Sequence, residues 1–187
     1  YDGTSGGEYS LAGALALSKN LPTLDLYLQC GWEPLNQMWD KLGFIEELNP
    51  EPSVILGTNS ASPVQLLNAY AVFANGGFEV EPYTISRIKT AEGEVIYERE
   101  NSSKQRILES SVCRQLNEML AKTVYEGTAS ALRSKYGIRN SLAAKTGTSQ
   151  SFADAWTLIY NRELVCGVRV GASYPSIHFN SGAYGSS

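Results

Sequence analysis

The sequence predicts an α/β fold of the α+β type, in which an antiparallel sheet is flanked by helices and preceded by a helical lobe. Apolar residues recur at helical spacing through most of the first 80 residues. Three strand-like runs come later, at residues 142–148, 154–160 and 164–170. The short link between the last two runs favours antiparallel pairing. We therefore expect a mostly helical lobe at about 1–80 and a helix-and-sheet portion at about 81–187.

Composition argues against several classes of protein. The 187 residues carry 15 Lys and Arg against 19 Asp and Glu, and this net charge of −4 disfavours electrostatic binding of nucleic acid. The longest apolar run, residues 11–17, is far shorter than the roughly 20 residues that span a bilayer. No basic-then-apolar leader opens the chain, so the sequence itself predicts no targeting signal.

Cysteine and histidine usage predicts no metal centre. The three cysteines are widely separated and form no C-x-x-C pair, which argues against a zinc site or a disulfide framework. We expect Cys113 and Cys166, which lie in apolar periodic segments, to be buried as small hydrophobic residues. The single histidine, His178, is expected to be structural.

Helix and turn signals divide the first part of the chain. Residues 11–17 predict a short helix, and Pro22 disfavours helical structure before it, so Ser18-Lys19-Asn20 is expected on a turn. A second helix is predicted over residues 24–30, with a stop at Gly31. A third helix, capped by Gly43, is indicated by apolar side chains at i, i+3, i+4 and i+7, namely Leu35, Met38, Trp39 and Leu42.

The clearest helix signal covers residues 63–74. Ser62 is the expected N-cap, Pro63 takes the first helical position, and Gln65 completes a capping box. Because almost every side chain of this helix is apolar, we expect it to be buried on most sides.

A hairpin and a long helix are predicted between this helix and the sheet. Residues 83–89 and 94–97 flank a Glu92-Gly93 turn. Apolar residues at helical spacing then predict an amphipathic helix over residues 112–124, closed by Gly127.

Two short groups of polar residues are candidates for chemistry. The first is Ser18-Lys19-Asn20, since a Ser hydroxyl near a lysine can relay a proton and an Asn amide can bind a carbonyl group. Ser and Asn are also common in turns before proline, so these residues alone favour an ordinary turn.

The second group, Lys145-Thr146-Gly147-Thr148, lies in a predicted strand. A lysine charge can hold an anion there, and threonine hydroxyls can donate hydrogen bonds to its oxygens. Gly147 lets a ligand backbone pair closely along the strand edge, which leaves the Thr148 amide to stabilise an oxyanion. A solvent-facing strand end with a glycine bulge would explain the same residues.

Taken together and in this order, the two groups match the S-x-N and K-T-G motifs that follow a nucleophilic S-x-x-K. The chain resembles the transpeptidase domain of penicillin-binding proteins, specifically the high-molecular-mass, bifunctional (class A) kind. Further segments extend the resemblance over nearly the whole chain: residues 9–20, 56–57, 62–63, 69–77, 126–129, 144–148, 154–156 and 177–179. The resemblance implies a β-lactamase/transpeptidase-like fold, incomplete here at both ends.

The resemblance implies four substrate-binding residues. Asn20 would hold the amide of the peptide or β-lactam. Thr146 and Thr148 would bind the substrate carboxylate beside Gly147, and Thr148 would add its backbone amide to the oxyanion hole. No metal or other cofactor is implied.

The resemblance also implies two catalytic residues and a missing nucleophile. Ser18 would shuttle a proton, and Lys145 would support charge and proton transfer. The only S-x-x-K in the chain starts at Ser86, downstream of S-x-N and in a strand-like run. Ser86 and Lys89 would face opposite sides of that strand, so we reject them as the catalytic pair. We therefore expect a fragment that penicillin does not acylate.

Three alternatives remain at the sequence level. The first is a serine β-lactamase. Class A β-lactamases carry the motif E-x-x-L-N, but here Ile45 takes the place of its glutamate in Ile45-Glu46-Glu47-Leu48-Asn49. A degenerate penicillin-binding-like domain could serve sensing or interaction. A monofunctional class B transpeptidase would differ mainly outside this chain.

For the parent protein, the resemblance implies peptidoglycan stem peptides and β-lactams as partners and no nucleic acid. It also implies a glycosyltransferase domain and a membrane anchor upstream, which would place the parent at the outer face of the cytoplasmic membrane. Because a truncated sheet exposes edges and apolar surface, self-association of the fragment is a further expectation.

Overall fold

Six α-helices and five β-strands form the part of the chain that the computed structural model describes, which is residues 7–100, 104–174, 176–179 and 184–186. The helices are α1 (Leu11–Ala16), α2 (Asn20–Cys30), α3 (Trp32–Lys41), α4 (Pro63–Ala74), α5 (Ser110–Tyr125) and α6 (Ala131–Ser134). The strands are β1 (Arg87–Lys89), β2 (Val95–Glu98), β3 (Ala143–Thr148), β4 (Asp154–Tyr160) and β5 (Val165–Gly171). Short 3-10 helices at Pro52–Leu56 and Gln150–Phe152, like α6, were not predicted.

Helix α2 begins earlier than the sequence predicts. The expected start was residue 24, but α2 starts at Asn20 and includes Pro22 in its first turn. A proline is tolerated there because the first backbone N–H groups of a helix have no intrahelical acceptor. Only Ser18 and Lys19 are therefore left on the turn, and Asn20 takes the first helical position.

Helix α4 has the predicted bounds and cap. The Ser62 hydroxyl accepts a hydrogen bond from the Gln65 N–H, and the Gln65 side chain accepts one from the Ser62 N–H. As predicted, most of α4 is at least partly buried. Gln65, Ala69 and Val72 are buried, and only Pro63 and Val64 at the start of the helix are exposed.

The sheet confirms the predicted α+β class. Strands β3, β4 and β5 pair antiparallel in chain order, with Thr146 opposite Thr157 and Thr157 opposite Val168. The predicted hairpin is formed by β1 and β2 as a separate two-stranded sheet.

Helix α5 packs against β3 and contributes a buried residue to each of the two hydrophobic clusters of the core. Leu120 packs with Ala143 on one face, and Val124 packs with Ala144 on the other. Because α4 also covers the first face, a methyl group at Gly167 would meet the side chains of Leu67 and Leu158.

The second face of the sheet is covered only in part. Cys166 and Val168 on β5 are exposed, so the expectation of a buried Cys166 was wrong, whereas Cys113 on α5 is buried as predicted. Sequence periodicity identifies the two faces of a strand, but it does not show whether another element covers each of them.

The C-terminal ends of helices α1 and α5 pack closely together at Gly127, just after α5. A Cβ at this position would lie 2.2 Å from the Ala16 carbonyl oxygen and 2.8 Å from Thr123 Cα. The next residue, Thr128, donates its backbone N–H to that same Ala16 oxygen at 3.1 Å. The absence of a side chain at Gly127 therefore lets the two helix ends approach within hydrogen-bonding distance.

This close approach predicts a large effect of Gly127→Ala. The added methyl group must push the α1 and α5 ends apart, so we expect the free energy of unfolding to fall by about 1–3 kcal/mol. The matched control is Gly147→Ala, whose Cβ would meet only Trp156 Cβ at 3.6 Å, an ordinary contact. Urea unfolding should show little change for this control, and equal effects of the two substitutions would contradict the packing argument.

Candidate active site

A hydrogen bond joins the two motifs that the sequence analysis singled out. Lys145 Nζ lies 2.5 Å from Ser18 Oγ, although the two residues are 127 positions apart in the chain. Lys145 Nζ also donates to the Thr146 carbonyl oxygen at 2.6 Å. The structure therefore places the predicted lysine beside the predicted serine and holds its ammonium group with two acceptors.

The backbone around Ser18 presents its side chain at the end of α1. Ser18 has a φ of 52°, in the left-handed region. A residue in this conformation often ends a helix, and it is usually glycine or asparagine. The Lys19 N–H reaches back to the Ala14 carbonyl oxygen at 2.9 Å, which closes α1. An exposed serine is thus held in a sparsely populated conformation, a feature that recurs at functional sites.

Asn20 lies next to this serine but does not contact it. Its side chain is exposed and makes no hydrogen bond within the described part of the chain. An amide in this position, at the start of α2, retains both its donor and its acceptor for a ligand.

Lys145 is half-buried, and burial lowers the pKa of its ammonium group. Its hydrogen-bond partners are a hydroxyl and a carbonyl oxygen, neither of which carries a charge that would offset the loss of hydration. A lysine held in this way gives up a proton more readily than a solvated one, which suits a group that takes part in proton transfer.

The two threonines of the K-T-G-T strand lie on the opposite face of β3 from Lys145. Thr146 Oγ1 is 2.6 Å from Thr128 Oγ1, and Thr148 Oγ1 accepts a hydrogen bond from the Gly185 N–H at 3.1 Å. The structure thus does not gather the predicted residues into one cluster. It places Lys145 and the threonines on either side of the same strand edge.

Gly147 lies between these two faces, where β3 forms one edge of its sheet. Within the described residues, β4 is the only strand that pairs with β3. The Gly147 position has ordinary room on its own face, since a Cβ would meet only Trp156 Cβ at 3.6 Å. The edge opposite β4 thus leaves room for an extended ligand backbone, whereas Gly185 packs against Gly147 on the face that carries the threonines.

The loop after Thr148 is held by its own hydrogen bonds. Ser149 Oγ accepts from the Asp154 N–H at 2.6 Å, and the Asp154 carboxylate pairs with Arg169 at 2.5 Å. In the turn between Ser149 and Asp154, Ser151 and Phe152 both have a φ of 56°. These contacts fix the end of β3 relative to β4 and β5.

Other candidates from the sequence lie outside this site. Ser86 precedes β1, Lys89 ends it, and both are exposed, so they are not one helical turn apart. His178 is also exposed rather than packed between its apolar neighbours, and its ring contacts the Phe179 carbonyl oxygen. Among the described residues no cluster of three or more His, Cys, Asp and Glu could hold a metal ion. No helix in the same ranges is long and apolar enough to span a membrane.

Sequence reasoning predicted Gly127 only as a helix stop and gave Thr128 no role, although both contact the elements that carry Ser18 and Thr146. Gly127 packs against the Ala16 carbonyl group, and Thr128 contacts both Ala16 and Thr146. The available signal was their place in residues 126–129, one of the segments that carried the family resemblance.

The buried charge predicts that Lys145→Met stabilises the fold. Removing a half-buried ammonium group should raise the free energy of unfolding by on the order of 1 kcal/mol at pH 7. Since the folded pKa is lowered, the unfolded chain holds the proton more tightly. The gain in the free energy of unfolding is therefore full below the pKa of the folded state. It disappears as pH rises towards the ordinary lysine pKa of 10.5.

The control for this measurement is Lys122→Met. Lys122 is exposed and lies 3.5 Å from Glu126, a surface pair that contributes little to stability. Chemical unfolding at pH 7 and pH 10 should show a pH-dependent difference for Lys145→Met and none for Lys122→Met. A less stable Lys145→Met chain at pH 7 would contradict the assigned burial cost.

Comparison with known proteins identifies the family of the chain. The family model described as "Penicillin binding protein transpeptidase domain" matches residues 1–162. Penicillin-binding protein 1A of Aquifex aeolicus is 36% identical over 171 residues, 91% of this chain and 23% of that protein. Penicillin-binding protein 2D of Bacillus subtilis is 34% identical over 170 residues, 87% of this chain and 24% of that protein. The chain thus spans about a quarter of the length of these curated relatives.

Solved structures share the fold. Penicillin-binding protein 1A from Haemophilus influenzae superimposes with a TM-score of 0.87 at 21% identity, over 94% of this chain and 32% of that one. The PonA1 protein from Mycobacterium tuberculosis, solved in complex with penicillin V, gives a TM-score of 0.81 at 21% identity, over 98% of this chain and 54% of that one. The chain belongs to the family of penicillin-binding protein transpeptidase domains.

Proposed function

We propose that this chain forms the S-x-N and K-T-G part of the active site of a peptidoglycan D,D-transpeptidase, an enzyme that cross-links cell-wall peptides through a serine acyl-enzyme. The observation that carries the proposal is the hydrogen bond between Lys145 and Ser18, because it joins the two motifs across 127 positions. Membership of the transpeptidase family supports it.

Proton transfer is the proposed task of Ser18 and Lys145. A nucleophilic serine in an S-x-x-K segment outside this chain attacks the carbonyl carbon of the penultimate D-Ala of a stem peptide. The serine gives up its hydroxyl proton as its oxygen bonds to that carbon, and the peptide bond breaks. The acyl group stays on the serine, and the terminal D-Ala leaves as an amine that takes up a proton. Because Ser18 Oγ accepts a hydrogen bond from Lys145, its own proton is free to point at the leaving nitrogen.

Substrate binding is the proposed task of the four remaining site residues. Asn20 holds the amide of the donor peptide or β-lactam, and the Thr146 and Thr148 hydroxyls bind the terminal carboxylate. Gly147 allows the substrate backbone to lie along the free edge of β3, and the Thr148 N–H serves the oxyanion hole. An acceptor amine then attacks the acyl-enzyme and completes the cross-link.

The parent protein is proposed to be a class A penicillin-binding protein. The relatives named penicillin-binding protein 1A support this class. Residues 1–187 would then be one part of its transpeptidase domain, with a glycosyltransferase domain and a membrane anchor upstream. This assignment places the enzyme at the outer face of the cytoplasmic membrane, with stem peptides and β-lactams as its ligands.

The split of the active site predicts the outcome of a labelling experiment. The chain alone, incubated with excess benzylpenicillin, should show no mass increase by intact-mass spectrometry, because it lacks the nucleophile. When the S-x-x-K-bearing half is supplied as a separate polypeptide, we expect an adduct on that half only, and only in the mixture. Lys145→Met in this chain should abolish the adduct, whereas Lys122→Met should not.

Two outcomes would contradict the proposal. An adduct on this chain alone would mean that one of its own serines is the nucleophile, and peptide mapping would distinguish Ser18 from Ser86. The absence of an adduct on a folded full-length protein would favour a degenerate domain without transpeptidase activity.

A further inference from the structure

Thr128 makes one hydrogen bond close to Ser18 and another close to Lys145. Its backbone N–H donates to the Ala16 carbonyl oxygen at 3.1 Å, two residues before Ser18. Its hydroxyl lies 2.6 Å from the hydroxyl of Thr146, the residue that follows Lys145. Thr128 is held in this place by Gly127, which allows the close contact with the end of α1.

The hydrogen bond between the two hydroxyl groups has only two possible directions. Each hydroxyl has one proton to donate and two lone pairs that accept. In the free site, either Thr128 donates to Thr146 or Thr146 donates to Thr128. Only 8% of Thr146 is exposed, and within the described residues Thr128 is the one hydrogen-bond partner of its hydroxyl.

A bound carboxylate leaves only one of these arrangements. An ionised carboxylate accepts hydrogen bonds and donates none, so Thr146 must turn its proton towards the ligand. Thr146 can then only accept from its neighbour, and Thr128 must be the donor. The resulting chain runs from Thr128 to Thr146 to the carboxylate, and each bond in such a chain polarises the next.

We propose that Thr128 is a positioning residue that orients the Thr146 hydroxyl proton towards the substrate carboxylate and so sets the preference for ligands with a free carboxylate. The inference rests on the proposed function, since it takes Thr146 as a carboxylate ligand. Thr128 itself does not contact the substrate. Its backbone contact with Ala16 fixes where the hydroxyl lies, and its hydroxyl fixes which way the Thr146 proton points.

The test compares Thr128→Val with Thr128→Ser in the full-length protein that the proposed function describes. Valine keeps the shape and the backbone N–H but removes the hydroxyl, whereas serine keeps the hydroxyl. The measured quantity is the second-order rate constant of acylation by benzylpenicillin and by its methyl ester, which lacks the negative charge. Thermal unfolding of each variant checks that the fold is retained, and Thr128→Ala is a second hydroxyl-free variant if valine disturbs packing.

We expect Thr128→Val to slow acylation by benzylpenicillin about two- to tenfold, as for the loss of one neutral hydrogen bond. Acylation by the methyl ester should stay unchanged, and Thr128→Ser should behave as the wild type. In a Thr146→Val background, Thr128→Val should have no further effect, because the hydroxyl that it orients is gone.

Three results would overturn the inference while leaving the proposed function intact. They are an equal loss for benzylpenicillin and its ester, an equal loss in the serine and valine variants, and multiplicative effects in the double variant. Failure of the proposed function looks different, because the wild-type protein would then form no adduct with benzylpenicillin at all.

Discussion

The hydrogen bond between Lys145 and Ser18 depends on the packing of three elements that are distant in the chain. Helix α1 brings Ser18 to its end, β3 carries Lys145, and the residues after α5 connect the two. Thr128 makes this connection, with its backbone on Ala16 and its side chain on Thr146. A shift of α5 would therefore change the geometry of both motifs together.

Two features that cost stability meet at this junction. Ser18 adopts a left-handed backbone without being glycine, and Lys145 keeps an ammonium group in a half-buried place with uncharged partners. Other elements follow ordinary rules, as in the reciprocal capping box of Ser62 and Gln65, although Ser151 and Phe152 also adopt a left-handed backbone in the turn after β3. Strain and buried charge that persist at one place, where surrounding packing enforces them, indicate that the place serves a function other than folding.

Elements with local signals were predictable from the sequence. Helix α4 has its cap, first-turn proline and glycine stop within 15 residues, so its bounds needed no tertiary information. The start of α2 was misplaced because Pro22 disfavours helix before it but is tolerated within a first turn. Cys166 was wrongly predicted to be buried, because the alternation of residues along a strand does not reveal which face of the sheet another element covers.

The candidate site was predictable only as two separate groups. From the residues alone, Ser18-Lys19-Asn20 has the composition of an ordinary turn, and nothing in either segment specifies a contact across 127 positions. The family resemblance linked the two motifs, and the structure supplied the contact. The connecting role of Thr128 was not predictable, because it depends on a backbone approach that only tertiary packing produces.

The alternation of side chains along β3 constrains the shape of a ligand that uses both of its faces. Lys145 points to Ser18 on one side, whereas Thr146 and Thr148 lie on the other, so no compact ligand above a single face can reach them all. A ligand that lies along the strand edge beside Gly147 meets both sets at once. That position suits an extended peptide backbone, which can pair with the strand while its carboxylate reaches the hydroxyls and its amide reaches the serine. Under the proposed function, the order lysine, threonine, glycine, threonine on one edge strand therefore serves to bind a peptide terminus.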